Sequence, residues 1–353
     1  MEKKVETQTF VCANCNGIIK WDIGSETFKC SACRAETKLE NLSESVQEYD
    51  FSQYGERENS TVAFEGVAVV HCQNCGCKIT FEEHQVATVC PMCSSTQVAA
   101  VKQAAGIPPE GIIPFKLDKN EAGVRFEAWV KSRWFAPNDF KKKCVGGSLQ
   151  GMYLPFWTFD AGAVSHYSGR GGHHRTVTDS DGKSRTVTDW HSVSGVVSAS
   201  FDDLQVCATE KGEAIEGILP YNTVENIRPY DPSYLSGYHA EIYSIKANQA
   251  FESAKEMMEE ELTSLAEEDI LQRYDEADVD SLRTKYSNVT YKHVLLPVWA
   301  SAFGYQGETF NYFINGETGE VDGERPYSVP KIVAAVIAGI IVIGTLIYFF
   351  STK

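Results

Sequence analysis

Eight of the eleven cysteines fall into two copies of one pattern. Two residues separate Cys12 from Cys15 and Cys30 from Cys33, and fourteen residues separate the pairs. Cys72, Cys75, Cys90 and Cys93 repeat this spacing sixty residues later. Each CxxC makes a tight turn that presents two thiolates to one ion, and two such turns complete a tetrahedral all-sulfur site. The first spacer contains IIKWDIG and TFK, the second KITF and VATV, which suits short β excursions between the knuckles. Units this small have too little core to fold alone, and structural zinc contributes about 10–16 kcal/mol in such cases. The expectation is two zinc ribbons holding two structural Zn2+ ions. Four protein thiolates per ion leave no open coordination position, so the metal is expected to be structural and not catalytic. His71 and Cys77 adjoin the second set and could stand in for a ligand, but two complete four-cysteine sets make the simpler assignment. Cys144 and Cys207 read as small core residues.

The chain of 353 residues carries 32 basic and 48 acidic side chains, a net of −16. That balance excludes a protein that coats duplex DNA, which needs a basic surface. The region around the cysteines shares the acidity: residues 1–97 hold 8 basic and 14 acidic groups. Zinc ribbons bind nucleic acid in some proteins and protein in others, and the charge favours protein contact here. A nucleic-acid-binding ribbon, accessory to replication or transcription, is the alternative reading. Most of the excess lies at residues 252–280, with 2 basic and 12 acidic side chains. From Phe251 onward, Phe251, Ala254, Met258, Leu262 and Leu265 recur at steps of three and four, the mark of an amphipathic helix with one acidic face.

At the other end, residues 332–350 read IVAAVIAGIIVIGTLIYFF, from Ile332 to Phe350, without a charge. At about 1.5 Å per residue this run matches a bilayer's hydrocarbon core. It is expected to be a transmembrane helix that contacts the lipid bilayer. Residues 1–8 lack the apolar core of a secretory signal, and the tail beyond the span is short. The body is therefore expected in the cytoplasm, fixed to the cell membrane by a single pass. Ala335 and Gly339 form a small-xxx-small pair through which two such helices could approach, the one hint of a homo-oligomer.

Between these ends, Gly106-Ile-Pro-Pro-Glu-Gly111 reads as a linker. Asp118 looks like a helix cap with Glu121 three residues on, and Val124, Phe126, Trp129, Val130 and Trp134 give the following helix its apolar face. TVTD occurs at 176–179 and 186–189 around Ser180-Asp181-Gly182-Lys183, which predicts a hairpin. Leu154-Pro155-Phe156-Trp157 is echoed by Leu296-Pro297-Val298-Trp299, as a diverged repeat or as two similar strands of one sheet. The organisation expected is a ribbon at 1–40, an acidic linker at 41–70, a second ribbon at 71–100, an α+β body at 101–330 built on an antiparallel sheet with a long acidic helix, and the anchor at 331–353. His166, His173, His174 and His191 lie near one another in sequence without ligand spacing. No GxSxG, GxxxxGK[ST], HExxH or Rossmann fingerprint occurs, so no enzyme is expected.

Together with the two cysteine modules, IIPFKLDKNEA at 112–122, YLPFWTFDA at 153–161 and FINGETGEVDGERPYS at 313–328 resemble the bacterial TFIIB-type zinc-ribbon membrane proteins, YdjG-like, over nearly the whole chain. The resemblance implies a membrane-bound partner role in envelope stress response, recruiting phage-shock-type (PspA-like) or other scaffold proteins to the inner membrane face. It supplies no catalytic residues. Only the eight thiolates carry over, as metal ligands.

Overall fold

The computed structural model describes residues 12–17, 19–37, 45–59, 62–63, 68–73, 77–81, 90, 92, 98–101, 105–144, 149–210 and 212–351. The class is α+β, with five α-helices among the described residues. In chain order, β1 (Ile19–Asp22), β2 (Thr27–Cys30) and β3 (Glu36–Thr37) form a separate antiparallel sheet in the first cysteine module. β4 (Tyr49–Asp50) leads through a short turn into α1 (Tyr54–Asn59), and β5 (Val62–Ala63) pairs with β9 (Ala105–Gly106). β6 (Ala68–Cys72), β7 (Lys78–Phe81) and β8 (Val98–Val101) belong to the second module. β10 (Gly111–Ile112), α2 (Lys119–Ser132) and α3 (Asn138–Cys144) precede two very long strands, β11 (Gln150–Thr178) and β12 (Ser184–Cys207). β13 (Arg228–Pro229), β14 (His239–Glu241), the acidic helix α4 (Ala247–Leu271), β15 (Glu276–Tyr305), β16 (Glu308–Asn315), β17 (Val321–Gly323) and α5 (Val329–Ser351) complete the chain.

β11 and β15 form the spine, antiparallel from Gly172↔Glu276 to Gln150↔Ala300. Their LPFW and LPVW motifs meet at their leucines, Leu154 opposite Leu296, and run away from each other from there, so the echo marks partner strands of one sheet. Between Tyr153 and Phe159 the side chains are buried without alternation, because both faces of the sheet are covered. From Ala163 to Gly169 burial alternates strictly, because one face meets water. The covered face of this extension packs on α4. There Ala247, Ala250, Phe251, Ala254, Met258, Leu262, Ala266 and Ile270 are buried, and the small residues let the helix approach the sheet closely. The stripe drifts away from Leu265 to Ala266 and Ile270. Glu252, Glu256, Glu259, Glu260, Glu261, Glu267 and Glu268 face solvent. A Cβ at Gly171 would stand 2.3 Å from the Tyr274 ring, so the glycines of 169–172 allow the chain leaving α4 to lie across the sheet.

β11 and β12 close as the expected hairpin, with Thr176 opposite Thr186 and Gly182 at a φ of 76° in the turn. The hairpin, backed by β15 from Glu276, forms a three-stranded arm. α2 opens on the expected capping box: Asp118 Oδ1 accepts from the Asn120 and Glu121 amides at 2.8 Å, and Glu121 Oε2 accepts from the Asp118 amide at 3.1 Å. Such a cap stabilises a helix by about 1 kcal/mol. The helix ends at Ser132, so Trp134 lies beyond it and is exposed, as is Val124. α5 is long and apolar enough to cross a membrane, and none of its apolar window is buried against the rest of the chain.

Candidate metal centres

The first module brings its four predicted ligands together. The sulfur atoms of Cys12, Cys15, Cys30 and Cys33 all lie within 4.8 Å of one another, Cys12 and Cys30 buried, Cys15 and Cys33 exposed. Two knuckles position them. The Cys12 amide donates to Gly17 O and the Asn16 amide to Cys12 O, both at 2.8 Å; the Cys30 amide donates to Ala35 O and the Arg34 amide to Cys30 O, both at 3.0 Å. Asn16 and Arg34, each four residues after a cysteine, adopt φ of 54° and 60° to close these turns. Asn takes that conformation readily, whereas Arg34 is held there by its hydrogen bond.

The four sulfurs are not joined in disulfides. Cys12 and Cys33 Sγ are 3.5 Å apart and Cys15 and Cys30 Sγ 3.4 Å, while a disulfide needs about 2.05 Å. Zinc–sulfur bonds of about 2.3 Å give tetrahedral edges of about 3.8 Å, so a small expansion admits an ion. The local field already favours one thiolate. The Cys33 amide, with that of Ala32, lowers Cys30 to about 6. Cys33 is pushed up to about 12: the Ala35 amide pulls it down, and the Cys15 and Cys12 thiols outweigh that pull. Four sulfur donors and no oxygen or nitrogen make a soft set that suits zinc among divalent ions.

In the second module, among the described residues, the thiols of Cys72, Cys77 and Cys90 meet, all buried and mutually within 4.8 Å, with Cys77 and Cys90 Sγ 3.4 Å apart. Cys75 and Cys93 lie outside the described residues. The Cys72 amide donates to Cys77 O at 2.9 Å, as the Cys12 amide donates to Gly17 O in the first module. The offset of sixty that relates the cysteines also relates Gly17 to Cys77. A Cβ built on Gly17 would stand 3.0 Å from Cys30 Sγ and 3.3 Å from Cys15 Sγ, so a side chain at this position points into the cage. Cys77, named from the sequence as a residue that could stand in for a ligand, thus reaches the thiols of Cys72 and Cys90.

Cys144 and Cys207 are buried apart from these groups, and burial pushes the Cys207 thiol up to about 12, an inert thiol. The histidines of the arm do not converge on one point. His173 and His191 flank the Tyr274 ring, and His174 Nε2 sits 2.7 Å from Glu276. A further polar cluster had no sequence signal. Buried Lys292 reaches Asp203 at 2.5 Å and Glu48 at 2.7 Å, while Asp160 accepts from Thr290 at 2.7 Å and from the Asp203 amide at 2.8 Å. The ammonium pairs directly with two of these three carboxylates, and the cluster fastens the segment around β4 to β15.

The chain is similar to the protein named Uncharacterized protein YdjG of Bacillus subtilis (strain 168), with 28% identity over 329 residues and 92% of each chain covered. No family model matches the sequence. No solved structure matches it either.

Proposed function

We propose that the chain is a membrane-anchored zinc-ribbon adaptor, with its body in the cytoplasm and α5 in the bilayer, that gathers protein partners at the inner membrane face. Cys12, Cys15, Cys30 and Cys33 would hold one structural zinc, and Cys72, Cys75, Cys90 and Cys93 the other, with Cys77 at its wall. The ions would supply folding stability and a rigid outline, not chemistry.

The observation that carries the protein-binding part is the arm. Among the described residues β12 pairs with β11 alone, leaving an outer edge 24 residues long. Trp190 and Val196 stand exposed along it. A long strand edge with apolar side chains is a template for an added strand from another chain. The resemblance drawn from the sequence makes a PspA-like or other scaffold protein of the envelope stress response the partner of choice. The net charge of −16 supports a protein over a nucleic acid.

The test is affinity purification of the full chain from membranes, beside a Trp190→Ala, Val196→Asp double variant. The expected result is protein partners that co-purify with the first chain and are lost from the second, with zinc content and membrane fractionation unchanged. Partners retained by the double variant, or nucleic acid held tightly at physiological salt in place of protein, would overturn the reading.

A further inference from the structure

The connection between α2 and α3 carries two large apolar side chains that the fold leaves out. Trp134 is 75% exposed and Phe135 40%. The residues around them cannot turn them inward, because Val130 before them and Ala136 and Phe140 after them are buried and fix both ends of the connection. This connection adjoins the first turn of α5. Lys331 Nζ donates to Trp134 O at 3.2 Å, to Ala136 O at 2.8 Å and to Asn138 Oδ1 at 2.7 Å. The Ser328 amide donates to Phe135 O at 2.8 Å. The exposed Tyr327 and Val329 lie next in sequence to these contacts.

Charge follows the same geography. Residues 131–143 and 325–331 together contain Lys131, Arg133, Lys141, Lys142, Lys143, Arg325 and Lys331 against the single acid Asp139, in a chain whose net charge is −16. Part of this charge is engaged: Glu127 pairs with Lys131, and Asp139 accepts from Tyr305 at 2.6 Å. Lys142 is exposed, and Lys141 reaches Lys131 O at 3.1 Å. Lysines and aromatic rings grouped where an apolar helix leaves the fold match the headgroup layer, where tryptophan is at home and each lysine strengthens attachment to anionic lipid about fivefold.

We propose that the connection between α2 and α3 is a second membrane contact, in which Trp134 and Phe135 enter the interfacial layer and Lys141 and Lys142 meet anionic lipid headgroups. The proposal rests on α5 spanning the bilayer. It adds that the body is clamped to the membrane at two points and so held in one orientation, not swung freely on a single helix. Lys331, with two acceptors in the connection and one at the start of α3, is the joint between the two contacts.

The test uses the full chain in lipid nanodiscs, of phosphatidylcholine alone and of phosphatidylcholine with about one third phosphatidylglycerol. Amide exchange across 131–143 is expected to slow about tenfold in the anionic discs relative to the neutral ones. The fluorescence difference between wild type and Trp134→Phe is expected to be quenched by brominated acyl chains. A Trp134→Ser, Phe135→Ser pair and a Lys141→Gln, Lys142→Gln pair should each remove the slowing while α5 amides stay protected. These side chains are outside the core, so the variants keep the fold. Exchange that is equal in the two discs, or unquenched Trp134 fluorescence, with α5 protected, overturns the second contact and leaves the anchor standing. Freely exchanging α5 amides overturn both.

Discussion

The two cysteine modules share their spacing, yet different forces hold them to the rest of the chain. The first is a separate three-stranded sheet docked by side chains. Trp21 packs edge-on to Phe28 and against Tyr234, and its Nε1 donates to Phe115 O at 3.1 Å. The second is joined through the backbone. β7 pairs with β14 (Ala240 opposite Thr80, Glu241 opposite Ile79), and β14 pairs with β11, so one hydrogen-bonded sheet runs from this module into the spine. A side-chain dock can open with little effect beyond itself. A shared ladder passes disorder on, because each strand that frays leaves unpaired backbone groups on its neighbour.

The largest effect expected follows from that contrast. Loss of a structural ion removes about 10–16 kcal/mol of local stabilisation. With Cys30→Ser, faster amide exchange should stay within β1–β3. With Cys90→Ser it should spread through β6–β8 into β14 and the adjoining part of β11. Exchange mass spectrometry beside metal analysis reads both, and an equal spread would erase the distinction between dock and ladder.

Acid sharpens the comparison at the point where the second module's chain enters the body. His293 Nδ1 donates to Ile107 O at 2.9 Å, its ring lies against Trp157, and burial lowers its pKa to about 4. In the unfolded chain it titrates near 6.5, so between these values the unfolded state holds the extra proton and stability rises with pH. Stability should therefore be full above about pH 6.5 and fall by roughly 2 to 3 kcal/mol on descending to about pH 4. Urea midpoints across this range should flatten in His293→Gln. An unchanged pH slope in that variant would remove His293 from the account.

A smaller effect is expected at the dock. Trp21→Ala deletes the ring and its hydrogen bond from a half-buried site, at about 2 kcal/mol, below the cost of truncating a fully buried tryptophan. The first ion should be retained, and only β1–β3 should exchange faster. Smallest of all is Cys77→Ser. Two zinc ions per chain should remain, with release to a chelator changed by no more than a few-fold. A fall to one ion would make Cys77 a ligand in place of a predicted one, and would show that equal spacing does not mean equal ligand sets.

Much of the scaffold was legible because local chemistry specified it. The DG turn at 181–182 fixed the hairpin, Asp118 with Glu121 fixed the start of α2, and the steps of three and four in α4 fixed its buried stripe. The extent of the arm was not legible. Its solvent face carries His166, Ser168 and Arg170 on β11 and Ser192, Ser194 and Ser198 on β12, residues that report water contact and nothing about strand length. Trp134 misled for a related reason. It repeats the period of the buried face of α2, but period records only that a side chain avoids water, not whether protein or lipid takes its place. Cys77 was visible as a residue. Its position in the cage came from the hydrogen bond that its carbonyl accepts from the Cys72 amide, the counterpart of the bond from the Cys12 amide to Gly17 O.

β15 has a further consequence. Its last residue, Tyr305, bonds Asp139 in α3, close to where α5 begins, and its first, Glu276, lies beside Gly172 in the arm. At about 3.3 Å per residue, thirty residues of strand measure on the order of 100 Å end to end before twist shortens them. If α5 spans the bilayer as proposed, the same ribbon of backbone is rooted near the lipid surface and the turn at 179–183 stands at its far end. On that reading it is a mast, which sets the distance from the anchor at which anything tied to its tip stands.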